Sequence, residues 1–319
     1  MPAKLKDASS ATMTWRAGGR LLARTLRVVA PVALVVWIVV ARPFEALPAL
    51  DAASMWLICG ALAVNFVVSL PIDVWRWRLA SHDPPPFFHF YWAQLEAYAT
   101  SAVLGMGVAD FVRSARLRRR ADAFLGDLGA SLAEHLLRYV ALGALLVAAG
   151  LWSTSFAVPA IIGGLGLGVF ALAVVTRAWW LERLPERRWA TTLRSLGTAL
   201  APRRALTLFL LALLGSAVEL AVLALCLWAL GLGDADFPTF VARAAMTHLG
   251  INVAVAIPGP PAQLGTFEGG AVLALVATGV PADHALAFAV AYHALHVIPV
   301  TVVGAASFAL RRSSRDAQP

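Results

Sequence analysis

The sequence is poor in charge. Only 14% of its 319 residues are Asp, Glu, Lys or Arg, while 60% are hydrophobic, against about 25% and roughly 45–50% in a soluble domain. So little charge excludes an ordinary water-facing surface. The chain also has only two cysteines, Cys59 and Cys226, both inside apolar stretches, which excludes a disulfide framework and a cysteine-based metal site. Walker loops, nucleophile elbows and zincin motifs are absent as well. Gly164-Leu165-Gly166-Leu167-Gly168 carries the glycines of a nucleotide loop, but it lies in an uninterrupted apolar run with no strand before it, where small residues serve close helix packing. What the chain does have is apolar sequence recurring from 28 to 310 with no soluble block between. That pattern predicts one polytopic membrane domain.

The formal charge of +8 comes from 26 Lys and Arg against 18 Asp and Glu. Its basic residues cluster between apolar spans, the pattern that holds loops on the cytoplasmic side, so nucleic acid is not an expected partner. Basic residues up to Arg27 precede the apolar run from Val28 to Ala41. On a helix Arg20, Arg24 and Arg27 share one face, which fits an interfacial segment leading into a retained span better than a cleaved signal. Residues 1–27 are therefore expected to form a basic N-terminal segment, 28–310 the transmembrane domain, and 311–319 a cytoplasmic tail.

A spanning helix needs about 20 largely apolar residues. Six segments meet or approach this: 26–42, 53–72, 128–151, 157–176, 206–231 and 284–309. Two more are interrupted. Segment 87–112 follows Pro84-Pro85-Pro86 and contains Gly105 and Gly107, while 239–280 breaks at Pro258-Gly259-Pro260-Pro261. With the N-terminus cytoplasmic, the chain returns inside at Arg76 and Arg78. A full crossing by 87–112 would put Arg113, Arg116, Arg118, Arg119 and Arg120 outside, against the positive-inside rule. Treating that segment as a hairpin entering from the cytoplasm repairs the conflict. It keeps the arginine-rich stretch 177–204 inside, with 232–238 external. For the tail arginines Arg311, Arg312 and Arg315 to end inside, 239–280 must be a second hairpin entering from the opposite face. The expected fold is thus all-α and polytopic: about six full transmembrane helices plus two re-entrant hairpins in an inverted repeat, with both termini cytoplasmic in a bacterial inner membrane. The alternative is that both interrupted segments are kinked ordinary helices.

Candidate site residues come from the hairpins and from ionisable groups at membrane depth. After the break at Pro258, Gly265 and Thr266 precede a new helix that Thr266 can cap and whose first turn carries Glu268. Such a half-helix N-terminus can receive an anionic headgroup, although Glu268 could simply offset its own helix dipole. Asp110 and Arg113, spaced for an i,i+3 salt bridge at the exit of the first hairpin, could hold the hairpin end or meet a lipid phosphate. Glu134, His135, Glu219, His248, His293 and His296 are the other embedded groups. A carboxylate near the bilayer centre costs about 2.5–3.5 kcal/mol to insert, which suggests a polar cavity or proton path. Glu219, nearest the middle of its span, is a proton-relay candidate or an interhelical hydrogen-bonding group. His293 and His296 share a helical face, but two ligands make no metal site. No metal or other cofactor is expected.

The stretch Ile257 through Glu268, then Gly279-Val280-Pro281, Ala291-Tyr292-His293, Pro299 and Gly304, resembles the C-terminal signature of the lysylphosphatidylglycerol synthase transmembrane-region family, flippase-like integral membrane proteins. The likeness covers roughly residues 50 to 310. In the first half the family commonly shows Gly-Glu and an arginine three after the Glu, where this chain has Ala109, Asp110 and Arg113. It later shows a Glu-Arg pair followed by Asp, where this chain has Glu134, His135 and Arg138. In the aminoacylating members this region is similar to a lipid-translocating module joined to a cytosolic transferase. With no such domain after Arg312, the chain is expected not to be an enzyme. The resemblance implies translocation of an anionic phospholipid, a polyprenyl-linked intermediate or another lipid. Asp110, Arg113, Glu134, Gly265, Thr266, Glu268 and His293 would lie along the headgroup path. Lipid-biosynthetic proteins or a second copy of the chain are the expected protein partners. A non-transporting scaffold, or a membrane-embedded subunit of a lipid-modifying enzyme, is the alternative.

Overall fold

Backbone N–H and C=O groups at membrane depth have no water to bond, and a helix satisfies them within its own segment. In the computed structural model every regular element among the described residues is accordingly a helix. Those residues are 45, 50–81, 84–104, 108–117, 121–152, 157–187, 189–233, 236–256 and 260–316. The expected N-terminal segment and the first span, 26–42, lie outside them. So do Gly105, Gly107, the arginines at 118–120 and Pro258-Gly259.

The helices are α1 (Ala52–Ala80), α2 (Phe87–Leu104), α3 (Ala109–Leu117), α4 (Ala121–Trp152), α5 (Ala157–Val175), α6 (Arg177–Glu182), α7 (Ala190–Ala199), α8 (Pro202–Ala229), α9 (Phe237–Ala256), α10 (Thr266–Ala277) and α11 (Ala282–Asp316). Five candidates long and apolar enough to cross a membrane fall within α1, α4, α8, α9 and α11. Four of these coincide with expected spans. The fifth, Phe237–Ala256, is the segment expected as the first leg of the second hairpin, and the described apolar part of α5, Gly163–Val175, is shorter than a crossing. The chain is an integral membrane protein with several membrane-crossing helices.

Two helix ends differ from expectation. Helix α1 does not stop near residue 72 but runs to Ala80, so Arg76 lies within it and is almost wholly buried. Helix α1 also contains a π-helical turn over Asn65–Ser69. Its buried positions are Ile58 and Ala61 before that turn, Ser69 at its end, and Asp73, Arg76 and Ala80 among those after it. Helix α11 likewise continues through the tail arginines to Asp316.

Helix α8 packs against α1, α4, α9 and α11. Glycines set the closest crossings: Gly143 of α4 faces Gly163 of α5, Gly250 of α9 faces Gly270 of α10, and Gly304 of α11 lies on the Leu95 carbonyl of α2. Helices α2 and α3 pack on each other, as do α9 and α10, and the turn Pro261–Gln263 before α10 rests on α2. Two apolar clusters result. One joins Ile58, Leu223, Leu227, Leu275, Leu286 and Phe288, the other Val74, Trp77, Phe90, Leu137 and Leu208. On α8, Ser216 and Glu219 separate the two.

Candidate functional site

The polar interior is built on a repeated local pattern. Asp73-Val74-Trp75-Arg76 on α1 and Asp110-Phe111-Val112-Arg113 at the start of α3 each place an Asp and an Arg one helical turn apart. Both pairs close, Arg76 on Asp73 at 2.9 Å and Arg113 on Asp110 at 2.7 Å. Both arginines then converge on Glu134 of α4, at 2.5 Å from Arg76 and 3.6 Å from Arg113. Arg113 also donates to Gln94 Oε1 and Ser131 Oγ, each at 2.7 Å, and lies over the Trp77 ring at 4.0 Å. Gly215 of α8 leaves the space for Arg76; a Cβ there would stand 3.2 Å from Nη1.

Helix α4 extends the network along its length. His135 meets Asp110 Oδ2 at 3.0 Å, and Arg138 donates to Glu219 Oε1 of α8 at 2.6 Å. The second oxygen of Glu219 is 3.9 Å from His248 Nε2 on α9. Arg116 of α3 pairs with Glu96 of α2 at 2.6 Å. Ion pairs thus tie α1, α2, α3, α4 and α8 together. Burial without pairing costs several kcal/mol per ion, so the pairing is what permits these charges at depth.

A second cluster stands at the start of α10. Its N-cap is Gly265, at φ 85° where a side chain would be strained, and not Thr266, which is the first helical residue. Thr266 Oγ1 donates to the Gln263 carbonyl oxygen at 2.8 Å. Glu268 accepts from the Gly265 N–H at 2.7 Å and meets His293 Nδ1 of α11 at 2.6 Å, with His293 stacked on Phe267. The expected anion-receiving helix end is therefore occupied by the helix's own carboxylate. Glu268 and His293 are both buried. They join α10 to α11, and the Gly265 turn fixes their approach.

The expected site residues fall into these two groups: Asp110, Arg113, Glu134 and Glu219 in the first, Gly265, Thr266, Glu268 and His293 in the second. His296 lies on α11 three residues after His293, with its ring 5.9 Å from that of Tyr292. Asp110 and Arg113 follow the break after α2. They occupy the first turns of α3, with Arg113 buried. Sequence reasoning missed Asp73 and took Arg76 for a loop charge, although their spacing repeats that of Asp110 and Arg113. Among the described residues no three His, Cys, Asp or Glu side chains stand together as metal ligands.

A family model described as the lysylphosphatidylglycerol synthase transmembrane region matches residues 23–304. The chain belongs to that family. No curated protein and no solved structure matched it. Within the lysylphosphatidylglycerol synthase transmembrane-region pattern, the departures at His135 and Arg138 each have an acidic partner, Asp110 and Glu219.

Proposed function

We propose that this protein moves an anionic lipid, or a lipid-linked intermediate, between the leaflets of a bacterial inner membrane. The observation that carries this is the run of charged groups along α4 and its neighbours, some of it open: the side chains of His135, Arg138 and Asp110 retain 39%, 28% and 28% of their exposure. Charged side chains at bilayer depth mark polar pathways. Asp110, Arg113 and Glu134 set the polarity of the path, and Glu268 with His293 orders the tip of α10 beside it. The helix pairs α2–α3 and α9–α10 are read as re-entrant hairpins of opposite sense, with both termini cytoplasmic. The protein carries its lipid without changing a bond in it, so its partners are the membrane and the phospholipid or polyprenyl-linked substrate.

The test is leaflet exchange of a quenchable fluorescent lipid in proteoliposomes, normalised to folded protein. Glu268→Gln is expected to slow exchange far more than it lowers abundance. If the carboxylate only offset its helix dipole, neutralisation would cost about 0.3–1 kcal/mol and leave exchange per folded molecule unchanged. Loss in Glu219→Gln alone would move the function to a proton relay. Wild-type rates in both variants would remove either carboxylate from the pathway.

A further inference from the structure

The ion pairs of the interior are not alike. Arg76 and Glu134 are sealed, with side chains 2% and 5% exposed, whereas Arg138 and Glu219 keep 28% and 13%. Both of the latter lie near the middle of long helices, α4 and α8, so the opening is at mid-depth. Among the described residues Arg138 makes one hydrogen bond, to Glu219 Oε1, leaving most of its five N–H donors available. Glu219 in turn has one oxygen on Arg138 and the other 3.9 Å from His248 Nε2, beyond hydrogen-bond distance. A strut between helices would be closed; here the Arg138 side of the pair is partly open.

The charge balance gives the opening a use. Asp73, Asp110, Glu134 and Glu219 face Arg76, Arg113 and Arg138, so with the histidines neutral the network holds one excess negative charge. A phosphate monoanion drawn to Arg138 would add another, which a low-dielectric interior resists. One proton taken up by Glu219 restores the starting balance. The groups that act on Glu219 and Arg138 are Arg76 and Asp73 from α1, Tyr98 from α2, Glu134 from α4, His248 from α9, and Tyr292 and His296 from α11. Of these, His248 stands nearest the free oxygen.

We propose that Arg138 and Glu219 form a proton-linked binding site for a phosphate anion, in which the phosphate takes Arg138 as Glu219 takes a proton. The Arg138 N–H bond to Oε1 breaks, and guanidinium N–H groups donate to two phosphate oxygens instead. The carboxylate becomes a carboxylic acid by taking one proton from the buffer, and His248 stays neutral throughout. No bond to phosphorus changes. On the lipid-translocation reading above, on which this rests, the phosphate is that of the headgroup.

The test uses the purified full chain in detergent, titrated calorimetrically with dihexanoyl phosphatidylglycerol and, separately, with inorganic phosphate, in buffers of different ionisation enthalpy. The wild type is expected to take up about one proton per ligand bound. Arg138→Gln should bind about tenfold or more weakly. Glu219→Gln should bind with no proton uptake. The double exchange R138E/E219R keeps an ion pair and hence the fold, and should lose the linkage. Preference for the short-chain lipid over inorganic phosphate assigns the site to a headgroup, and equal binding with the same linkage assigns it to the free anion. Binding by the wild type without proton uptake, or unchanged binding in Arg138→Gln, overturns the proposal. Leaflet exchange measured in parallel separates the two claims. Exchange without proton linkage removes this site alone, and linkage without exchange keeps the site while removing translocation.

Discussion

Glu134 is the carboxylate on which two Asp-x-x-Arg pairs converge, and its loss would leave two buried guanidinium groups each with a single acidic partner. Glu134→Ala is expected to destabilise the fold by about 3–5 kcal/mol, the usual cost of breaking a buried pair from one side. Replacing Asp73, Arg76 and Glu134 together by Leu, Met and Leu should cost much less, since Arg113 keeps Asp110. Thermal unfolding in detergent compares the two. Outside the spans, Asp51 caps α1 by accepting from the Ser54 N–H at 2.7 Å, and that bond holds its carboxyl below the ordinary carboxylate value. A lowered folded value means the cap contributes above the unfolded carboxylate pKa and is lost as pH falls through the folded one. Amide exchange at Ser54, corrected for intrinsic rate, should therefore rise relative to the helix interior on acidification; an unchanged ratio would remove the cap. At this scale Glu134 and Glu219 are legible in the sequence because a carboxylate in an apolar run is conspicuous. Arg76 is not, because an arginine after an apolar run reads equally as a loop charge.

Helix α10 is held by a close crossing with α9 and, before its start, by a turn that rests on α2. At the crossing, a Cβ on Gly270 would run into the backbone of Gly250, while Gly269 beside it faces open space. Gly270→Val should sharply reduce the yield of folded, monodisperse protein. Gly269→Ala should leave the yield intact or gain the roughly 0.5–1 kcal/mol that Ala contributes over Gly inside a helix. Size-exclusion profiles of the two variants check this, and equal behaviour would mean the crossing is not close. Before α10, Ala262 and Gln263 adopt φ 51° and 59°, a left-handed region that costs L residues about 1–3 kcal/mol each. Contact between the Pro261–Gln263 turn and α2 holds them there. The break before α10 is legible because proline and glycine punctuate it. The left-handed pair is not, since nothing in Ala262 or Gln263 announces a conformation imposed by tertiary contact.

For the whole molecule, two apolar clusters with charges between them make an interior unlike the lipid around it. The membrane class follows from composition alone, because 60% apolar sequence leaves no other solvent for most of the surface. Orientation is carried by the loop arginines, and single-cysteine labelling in intact cells checks it. With the exposed Cys59 first replaced by Ala, a cysteine at exposed position Glu186 should resist an impermeant external reagent, and one at exposed Pro238 should react. External labelling at Glu186 would reverse the assignment of the 177–204 stretch. The π-helical turn in α1 bears on the interior in a further way. An uninterrupted helix carrying its inward stripe on from Ala61 at 3.6 residues per turn would bring Val68, Ile72, Trp75 and Leu79 inward. The extra residue delays the phase by about 100°, and the stripe falls on Ser69, Asp73, Arg76 and Ala80 instead. One residue of winding thus decides whether Arg76, paired with Asp73, reaches Glu134 across the bundle or turns away from it.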